Sequence, residues 1–567
     1  MFYARHEDLL RQAVRAVDGD EYFSPFTKAP TVAAYGRRAA RRGESAFLSL
    51  LGDDFPLDQP ADHGTAVTES SAYGIDLGIG YPSCEPGRLI GAATRAMAGW
   101  RAAGAHERAG VAAEILHRLS ERSFEMAHAV HHTTGVAFAT AHQSGGPHAQ
   151  DRGLEAVARA LAESTRRPSA IRCEKPHARG GPLLTQGTST VAPRGISLLV
   201  ACRTFPTWNT YPALFASLVT GNPVIVAPHP GAVLPLAITV QVARQVLDEA
   251  GYDPNAVTLA VARPGGGQAL VRRLATDPAV RIVDHTDSSR PETADWLEHH
   301  ARQAVVFRNT AGLNTVVVDS TDDYAGLLRD LAIALSLCSG QLRTTPRNIL
   351  VPAGGIGTDK GRKAFGDFCT DLSHALDRLL STPRRAAGIL GALVDDGVRE
   401  RLADAERRGV MVHPSKPVRD PDHPDADVRT PLVVRVGAGD ERLYTRDWSG
   451  PVSCVVATGS TAHSLEIFRR TVRRHGAVFG TVHSTDPLVL AAAEVAALDA
   501  GVHLSQNRAG SVFTDQIAVF SDFHGTGADP AVYAAPTDPA FVTGRFLVLQ
   551  SRRHVVETAG NAALAVV

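Results

Sequence analysis

The sequence predicts an α/β protein of two open, doubly wound sheets, and three observations carry that prediction. Apolar runs of strand length alternate with amphipathic stretches of helix length from residue 196 to 303, the pattern of parallel strands joined by right-handed crossovers. A second series of the same kind runs from 315 to 482. At 567 residues the chain has room for both, since ~150 residues per domain allows two to four domains. With 44% hydrophobic and 21% charged residues and a net charge of −1, it is neither disordered nor a basic, nucleic-acid-coating protein.

The elements follow in order. Residues 87–135 read as two helices: Val111, Ile115, Leu116 and Leu119 share one face, and Gly135 supplies a stop. After a polar, Gly/Pro-containing stretch, ISLLVAC (196–202) is a buried strand, NTYPALFASLVTGN (209–222) a helix ended by glycine, and PVIVA (223–227) a strand. A long amphipathic helix at 231–250, TLAVA, a helix at 267–276, RIVD (281–284) and a helix at 291–303 complete the first series. The second comprises TVVVD (315–319), a helix to about 336, NILV (348–351), a helix from 358, CVVAT (454–458), a helix from 461 and AVFGTV (477–482). The Pro- and Asp-rich segment 419–431 is an exposed connection. FVTGRFLVLQSRR (541–553) is an isolated late strand that needs a partner, expected in another subunit of a homo-oligomer. The boundaries expected are 1–312, 313–530 and 531–567. The six cysteines are scattered, without a C-x-x-C pair, and the charged N-terminus lacks an apolar run, so no zinc site, disulfide framework, secretory signal or membrane span is expected. A cytoplasmic location is the corresponding expectation.

Three ordered segments carry a resemblance. TFPTWNTYPALFASLVTGNPVIVAPHP (204–230), SGQLRTTPRNILVP (339–352) and VFSDFHGTGADP (519–530) resemble the substrate-side helix, the nucleophile loop and a C-terminal signature of aldehyde dehydrogenases, more narrowly of the phenylacetic acid degradation protein PaaN branch. The resemblance covers roughly residues 85–555 and implies the aldehyde dehydrogenase fold with a β oligomerisation arm. It also implies a chemistry in which a cysteine attacks the aldehyde, an asparagine and a backbone amide hold the oxyanion, a nicotinamide takes the hydride, and a glutamate activates water.

Matched residue by residue, the chemistry is missing. The nucleophile motif Gly-Gln-x-Cys is similar to Gly340, Gln341, Leu342 and Arg343, and arginine, always protonated and donor-only, cannot attack a carbonyl. The general-base motif Glu-x-Ala-Gly-x-Asn corresponds to Asn309, Thr310, Ala311, Gly312, Leu313 and Asn314, which places an amide where a proton acceptor is needed. The lysine that contacts the cofactor ribose corresponds to Ala227, before Pro228, in a chain with only five lysines. The Thr-Gly-Ser loop beside the pyrophosphate reads Thr286, Asp287, Ser288, and a carboxylate there repels phosphate. The glutamate for the nicotinamide ribose corresponds to Asp447, in the run Asp447-Trp448-Ser449-Gly450-Pro451. Asn209 stands at the oxyanion position, and Pro212, Gly221, Gly340, Gly450 and Pro451 are kept.

Other candidates carry two readings each. Arg343 either pairs with an acid in an inert pocket or binds a carboxylate, phosphate or polarised carbonyl. Cys338 is core filler or a displaced nucleophile. His285 is a solvated loop residue or an acid/base partner of Asp287. His128, His131 and His132 have helical metal-ligand spacing but no evident fourth ligand, so no metal is expected. Residues 264–267 are a turn or a phosphate loop without its completing motif.

The function expected is a non-redox reaction (isomerisation, cyclisation, hydration or lyase chemistry) on a carbonyl or acyl-thioester compound: Asn209 holds an oxygen, Arg343 supplies positive charge, and His285 or Asp447 moves protons. No cofactor is required by that reading. A non-catalytic scaffold subunit is the first alternative. An NAD(P)-dependent dehydrogenase of a ring-opened phenylacetate-type semialdehyde, using Cys338, is the second. No nucleic acid or membrane partner is expected.

Overall fold

The computed structural model describes the chain except residues 20, 28, 63, 64, 68, 177–182, 288–290, 311, 396, 447, 508–536 and 556–567. Both predicted sheets are present. In the first, five parallel strands lie in the order Val257–Leu259, Val224–Ala227, Ile196–Val200, Val280–His285, Val305–Arg308. The chain order reverses between Ile196–Val200 and Val280–His285, so a crevice opens beyond the carboxyl ends of those two strands. The second sheet has seven strands: Val410–His413, Leu432–Gly437, Val452–Thr458, Asn348–Pro352, Thr315–Val318, Gly480–His483 and Leu504–Gln506. All its pairs are parallel except the first. No described helix is long and apolar enough to cross a membrane.

The late strand departs from expectation. It runs over Phe546–Val555, after a short helix Pro539–Thr543, and pairs antiparallel with Leu183–Pro193 of its own chain, which in turn pairs with Ala170–Lys175. The partner expected in another subunit is thus supplied in cis. Pairing along the whole strand satisfies one side of its ladder, and the other side is an edge of the described three-stranded sheet. The segment 87–135 forms three helices rather than two, Pro86–Ala102, Ala105–Glu121 and Ser123–Thr134, because the short breaks after Ala102 and Glu121 preserve one apolar face. The helix expected from 358 starts at Phe365, after a hairpin of Ile356–Thr358 and Gly361–Lys363 whose turn glycine, Gly361, has φ +91°.

The three-stranded arm is locked to the first sheet by a buried ion pair. Arg545 donates to both carboxylate oxygens of Asp284 at 2.8 and 2.6 Å and to Ser217 Oγ at 2.8 Å, with side-chain exposures of 0% for Arg545 and 4% for Asp284. Its guanidinium lies over the rings of Phe307 and Phe541. The fork geometry and the stacked faces offset the desolvation of both charges.

Candidate active site

Two segments converge on the crevice. The first is the helix Pro206–Val219, buried along its whole length, as its apolar composition on all sides requires. Proline at its first position suits a turn whose N–H has no helical partner, and Asn209 falls in that first turn. The second is the loop after the helix Tyr324–Ser336, whose N-terminus is capped by Asp323 accepting from Gly326 N at 2.8 Å. That helix ends in a tight turn, Leu337–Gly340, with Cys338, Ser339 and Gly340 all left-handed at φ of +53°, +52° and +61°.

The turn is strained and pinned. Left-handed backbone at two non-glycine residues costs ~1–2 kcal/mol each. Ser339 Oγ donates to Gly391 O at 3.0 Å, Gln341 Nε2 to Ala392 O at 2.9 Å, and Arg347 to the carbonyls of Gly340 and Gly450 at 3.1 and 2.7 Å. A Cβ on Gly340 would stand 2.8 Å from Gly450 O, so this position admits only glycine. Asn314 fixes the next stretch: its Nδ2 donates to Arg343 O at 2.7 Å and to Thr345 O at 3.2 Å, while its Oδ1 accepts from Val478 N at 2.9 Å.

The result is one cluster of the buried Arg343 and Asn209 with the half-buried Asn309. Arg343 donates through Nη1 to Asn209 Oδ1 at 3.0 Å and to Asn309 O at 3.1 Å, and through Nη2 to Asn309 Oδ1. Asn209 turns its amide nitrogen the other way, toward Cys202 Sγ, Thr204 O and Phe205 O at 3.2, 3.1 and 3.2 Å. Arg343 therefore touches both of the other residues matched independently by motif. The cluster has donors that can polarise an oxygen and no nucleophile. Burial, reinforced by the nearby Asp287 carboxylate, pushes the Cys202 thiol up to about 11. Burial pushes Cys338 still further. Neither sulfur is a thiolate at neutral pH. Cys202 was not among the sequence candidates, because a loop contact leaves no periodicity, whereas Asn314 closes the general-base motif; Arg152, on the helix Pro147–Thr165, places its guanidinium 4.2 Å from the Trp208 ring centroid, a helix-to-helix contact that motif order does not show.

The remaining candidates lie around this cluster. His285 is the last residue of Val280–His285, fully buried, so the solvated-loop reading is corrected. Burial holds it down at about 4 against the opposing pull of Asp287, and neither ring nitrogen has a hydrogen-bond partner among the described residues. Asp287 is buried at the carboxyl end of the same strand. Ala227 and Asp287 line, with Val200, Gln268 and Thr293, a cavity of about 30 Å³. Asp447 and Ser288, and the signature 519–530, lie outside the described residues. Residues 264–267 make a turn, with Gly265 at φ +80°, that opens the helix Gly267–Ala275. The walls of the cavity at Ala227 and Asp287 present a methyl, from Ala227, and the buried Asp287 carboxylate, with no lysine or arginine among the lining residues.

His131 and His132 are buried in an aromatic stack at the end of the helix Ser123–Thr134. His131 stacks on Tyr73 with centroids 3.9 Å apart, His132 on Phe47 at 5.0 Å, and His423 packs against both histidines. His131 Nδ1 is 2.7 Å from Val136 O and His132 Nδ1 3.0 Å from Ser71 Oγ. Among the described residues no group of three metal-ligating side chains is found. Burial lowers both histidines to about 3. Because the unfolded chain takes up protons near 6.5 and the folded chain does not, each is expected to remove about 1.4 kcal/mol of stability per pH unit below 6.5, levelling off near 3. Urea midpoints measured from pH 7.5 to 4.5 check this. The slope is expected to flatten in His131→Phe, and an equal slope in that variant contradicts the assignment.

Comparison with known proteins gives a consistent picture. Residues 85–501 match the description "Aldehyde dehydrogenase family". The crystal structure of an NAD-dependent aldehyde dehydrogenase from Burkholderia multivorans is 47% identical, covering 98% of this chain and 100% of that chain with a TM-score of 0.95. A Thermus thermophilus 1-pyrroline-5-carboxylate dehydrogenase variant (16% identity, 94% and 99% coverage, TM-score 0.73) shares the fold. So does proline utilization A from Bdellovibrio bacteriovorus (15%, 96% and 54%, 0.73). Among curated proteins none matches.

Proposed function

Since this chain belongs to the aldehyde dehydrogenase family, we propose that it has kept the family's fold and given up aldehyde oxidation, acting without redox chemistry on a carbonyl or acyl-thioester compound. The observation that carries this reading is the contact of Arg343 with both Asn209 and Asn309. The side chain at the nucleophile position is a donor, and the side chain at the base position is its acceptor. A guanidinium beside the oxyanion asparagine stabilises negative charge on an oxygen, which serves isomerisation, hydration or lyase chemistry as well as binding. His285, sealed and neutral, has no described route to solvent, which leaves Asp447 as the proton carrier in this scheme. The chain is assigned to the PaaN-like branch on its motifs, with a former dinucleotide domain to 312, a former catalytic domain to 530 and an arm beyond it. Six unpaired cysteines suit a reducing cytoplasm.

A scaffold role is the second reading, favoured by the exposed Leu547, Val548 and Leu549 on the arm, an apolar edge suited to a second copy in a homo-oligomer. Thermal-shift assays with NAD, NADP, acyl-CoA esters and short aldehydes separate the readings. A bound ligand at 100 times its Kd adds about 2.7 kcal/mol, and the non-redox reading expects this from an aldehyde or acyl ester and not from a dinucleotide. Calorimetric titration is expected to give no heat with NAD or NADP at micromolar concentrations. Micromolar affinity for either restores a dehydrogenase.

A further inference from the structure

The outer face of one N-terminal helix carries unopposed positive charge. Between Glu21 and Asp53 the chain has five cations, Lys28, Arg37, Arg38, Arg41 and Arg42, and one acid, Glu44. The four arginines stand at the start of the helix Ala39–Leu48, with Arg38 as its N-cap, and all four are exposed. Among the described residues none of their guanidiniums has an ion pair or a hydrogen bond, and Glu44, exposed on the same helix, pairs with none of them.

This placement works against the helix. A helix N-terminus carries partial positive charge and is stabilised by acids, yet the first turn has no acidic residue and the Arg38 side chain does not cap it. Arg38, Arg41 and Arg42 lie one turn apart, so like charges meet at i,i+3 and i,i+4 spacing. Both effects oppose folding, and no described group of the chain offsets them. Local rules broken without internal compensation concentrate at functional surfaces.

The opposite face fixes how the arginines are presented. A Cβ on Gly43 would stand 2.4 Å from the Phe124 Cβ, and Phe47 stacks on His128 and His132 with centroids 5.5 and 5.0 Å apart. The apolar side of the helix is thus covered by the helix Ser123–Thr134, and none is left to enter a bilayer. Tyr35, the aromatic residue nearest the arginines in sequence, packs on Phe124 and His142, so it offers no open ring for a base to stack on. A net charge of −1 gives the chain no long-range attraction for a nucleic acid. What flanks the arginines on the outside is apolar: Leu48 is 52% exposed, and Val32, on the short helix Val32–Tyr35, is 60% exposed.

We propose that this face docks an acidic segment of another protein, whose carboxylates take the forks of Arg38, Arg41 and Arg42 and whose apolar side chains lie against Leu48 and Val32. The docking is independent of the chemistry at Arg343.

Fluorescence anisotropy on the full chain tests this with two labelled peptides, an acidic one of repeating Glu-Asp-Leu-Asp and a neutral one of repeating Gln-Asn-Leu-Asn, alongside oligo-dT and vesicles of phosphatidylcholine and phosphatidylserine. The acidic peptide is expected to bind at least tenfold more tightly than the neutral one at about 50 mM salt, and to weaken as added salt screens the contact. The triple variant Arg38→Gln, Arg41→Gln, Arg42→Gln is expected to lose that preference while its urea midpoint stays level or rises, since like charges leave the helix N-terminus. Arg384→Gln with Arg385→Gln, on the helix Pro383–Leu390, is expected to keep the preference. Equal affinities for the two peptides, an unchanged preference in the triple variant, or an equal loss in the Arg384 and Arg385 variant overturns the proposal. A lowered urea midpoint in the triple variant overturns it too, because the arginines then serve the fold. Tighter binding of oligo-dT or of the vesicles than of the acidic peptide assigns the face to a nucleic acid or a membrane instead. Self-association of the parent that disappears in the triple variant assigns it to a second copy, and either result contradicts the proposal.

Discussion

Asp284→Ala is expected to cost about 3–5 kcal/mol, because it leaves the Arg545 guanidinium buried without its carboxylate. Arg545 is fully buried, and Asp284 takes both of its terminal nitrogens. Its other partners, Ser217 Oγ and Phe541 O, are neutral and cannot compensate the charge. The loss is expected to be local as well as global. Arg545 begins the arm, and its carbonyl accepts from Arg194 N and Asn222 Nδ2, so the Leu183–Pro193 and Phe546–Val555 pair loses its tether to the first sheet. Urea denaturation gives the magnitude, and limited proteolysis shows whether cleavage starts in the arm. The double variant Asp284→Leu, Arg545→Met is expected to be more stable than Asp284→Ala, since no charge is then stranded. A cost below 1 kcal/mol for Asp284→Ala shows instead that the backbone ladder alone holds the arm.

Restoring aldehyde oxidation is expected to need four substitutions together. Arg343→Cys supplies a thiol, yet the acyl-enzyme step and its hydrolysis are separate, and Asn309 still offers no proton acceptor. Adding Asn309→Glu restores that acceptor, while Ala227 and Asp287 still present a methyl and a carboxylate to the cleft of the first sheet. Only with Ala227→Lys and Asp287→Gly does the set become complete. NADH formation from a panel of aldehydes is expected to be absent in the single and double variants and measurable in the quadruple one. Turnover in Arg343→Cys alone shows that the cleft accepts the dinucleotide unaided. The same substitution also breaks the contacts of Arg343 with Asn209 and Asn309, so its stability is measured in parallel.

How legible this molecule is in its sequence depends on what each segment packs against. Parallel strands buried on both faces read as unbroken apolar runs, which is why 223–227 is recognised as a strand at once. Leu183–Pro193 is half exposed and polar, LLTQGTSTVAP, and exists as a strand because Phe546–Val555 and Ala170–Lys175 flank it. No local pattern announces a partner more than 350 residues away. The amphipathic helix Phe2–Asp18, which packs on Ala105–Glu121, lies before the segments that carry the family resemblance. At the site, motif order brings Asn209, Asn309 and Arg343 to one place, and the structure adds how they are joined. Asn314 is placed by its motif but its bond to Arg343 O is not, and the contact of Cys202 with the Asn209 amide is encoded by neither spacing nor periodicity. His285 reads as a loop residue because its strand extends one residue past the apolar run, with the buried Asp284 held there by Arg545.

The most direct test is the assay of the unmodified protein for NADH or NADPH formation with succinate semialdehyde, phenylacetaldehyde and short aldehydes near pH 8. A guanidinium at position 343, bonded to Asn209 and Asn309, predicts no reduced cofactor above the protein-free rate, while the same preparation binds a carbonyl compound by calorimetry. Cofactor reduction at an ordinary enzymatic rate of about 1–10³ per second contradicts the account, because an arginine cannot be the group that attacks.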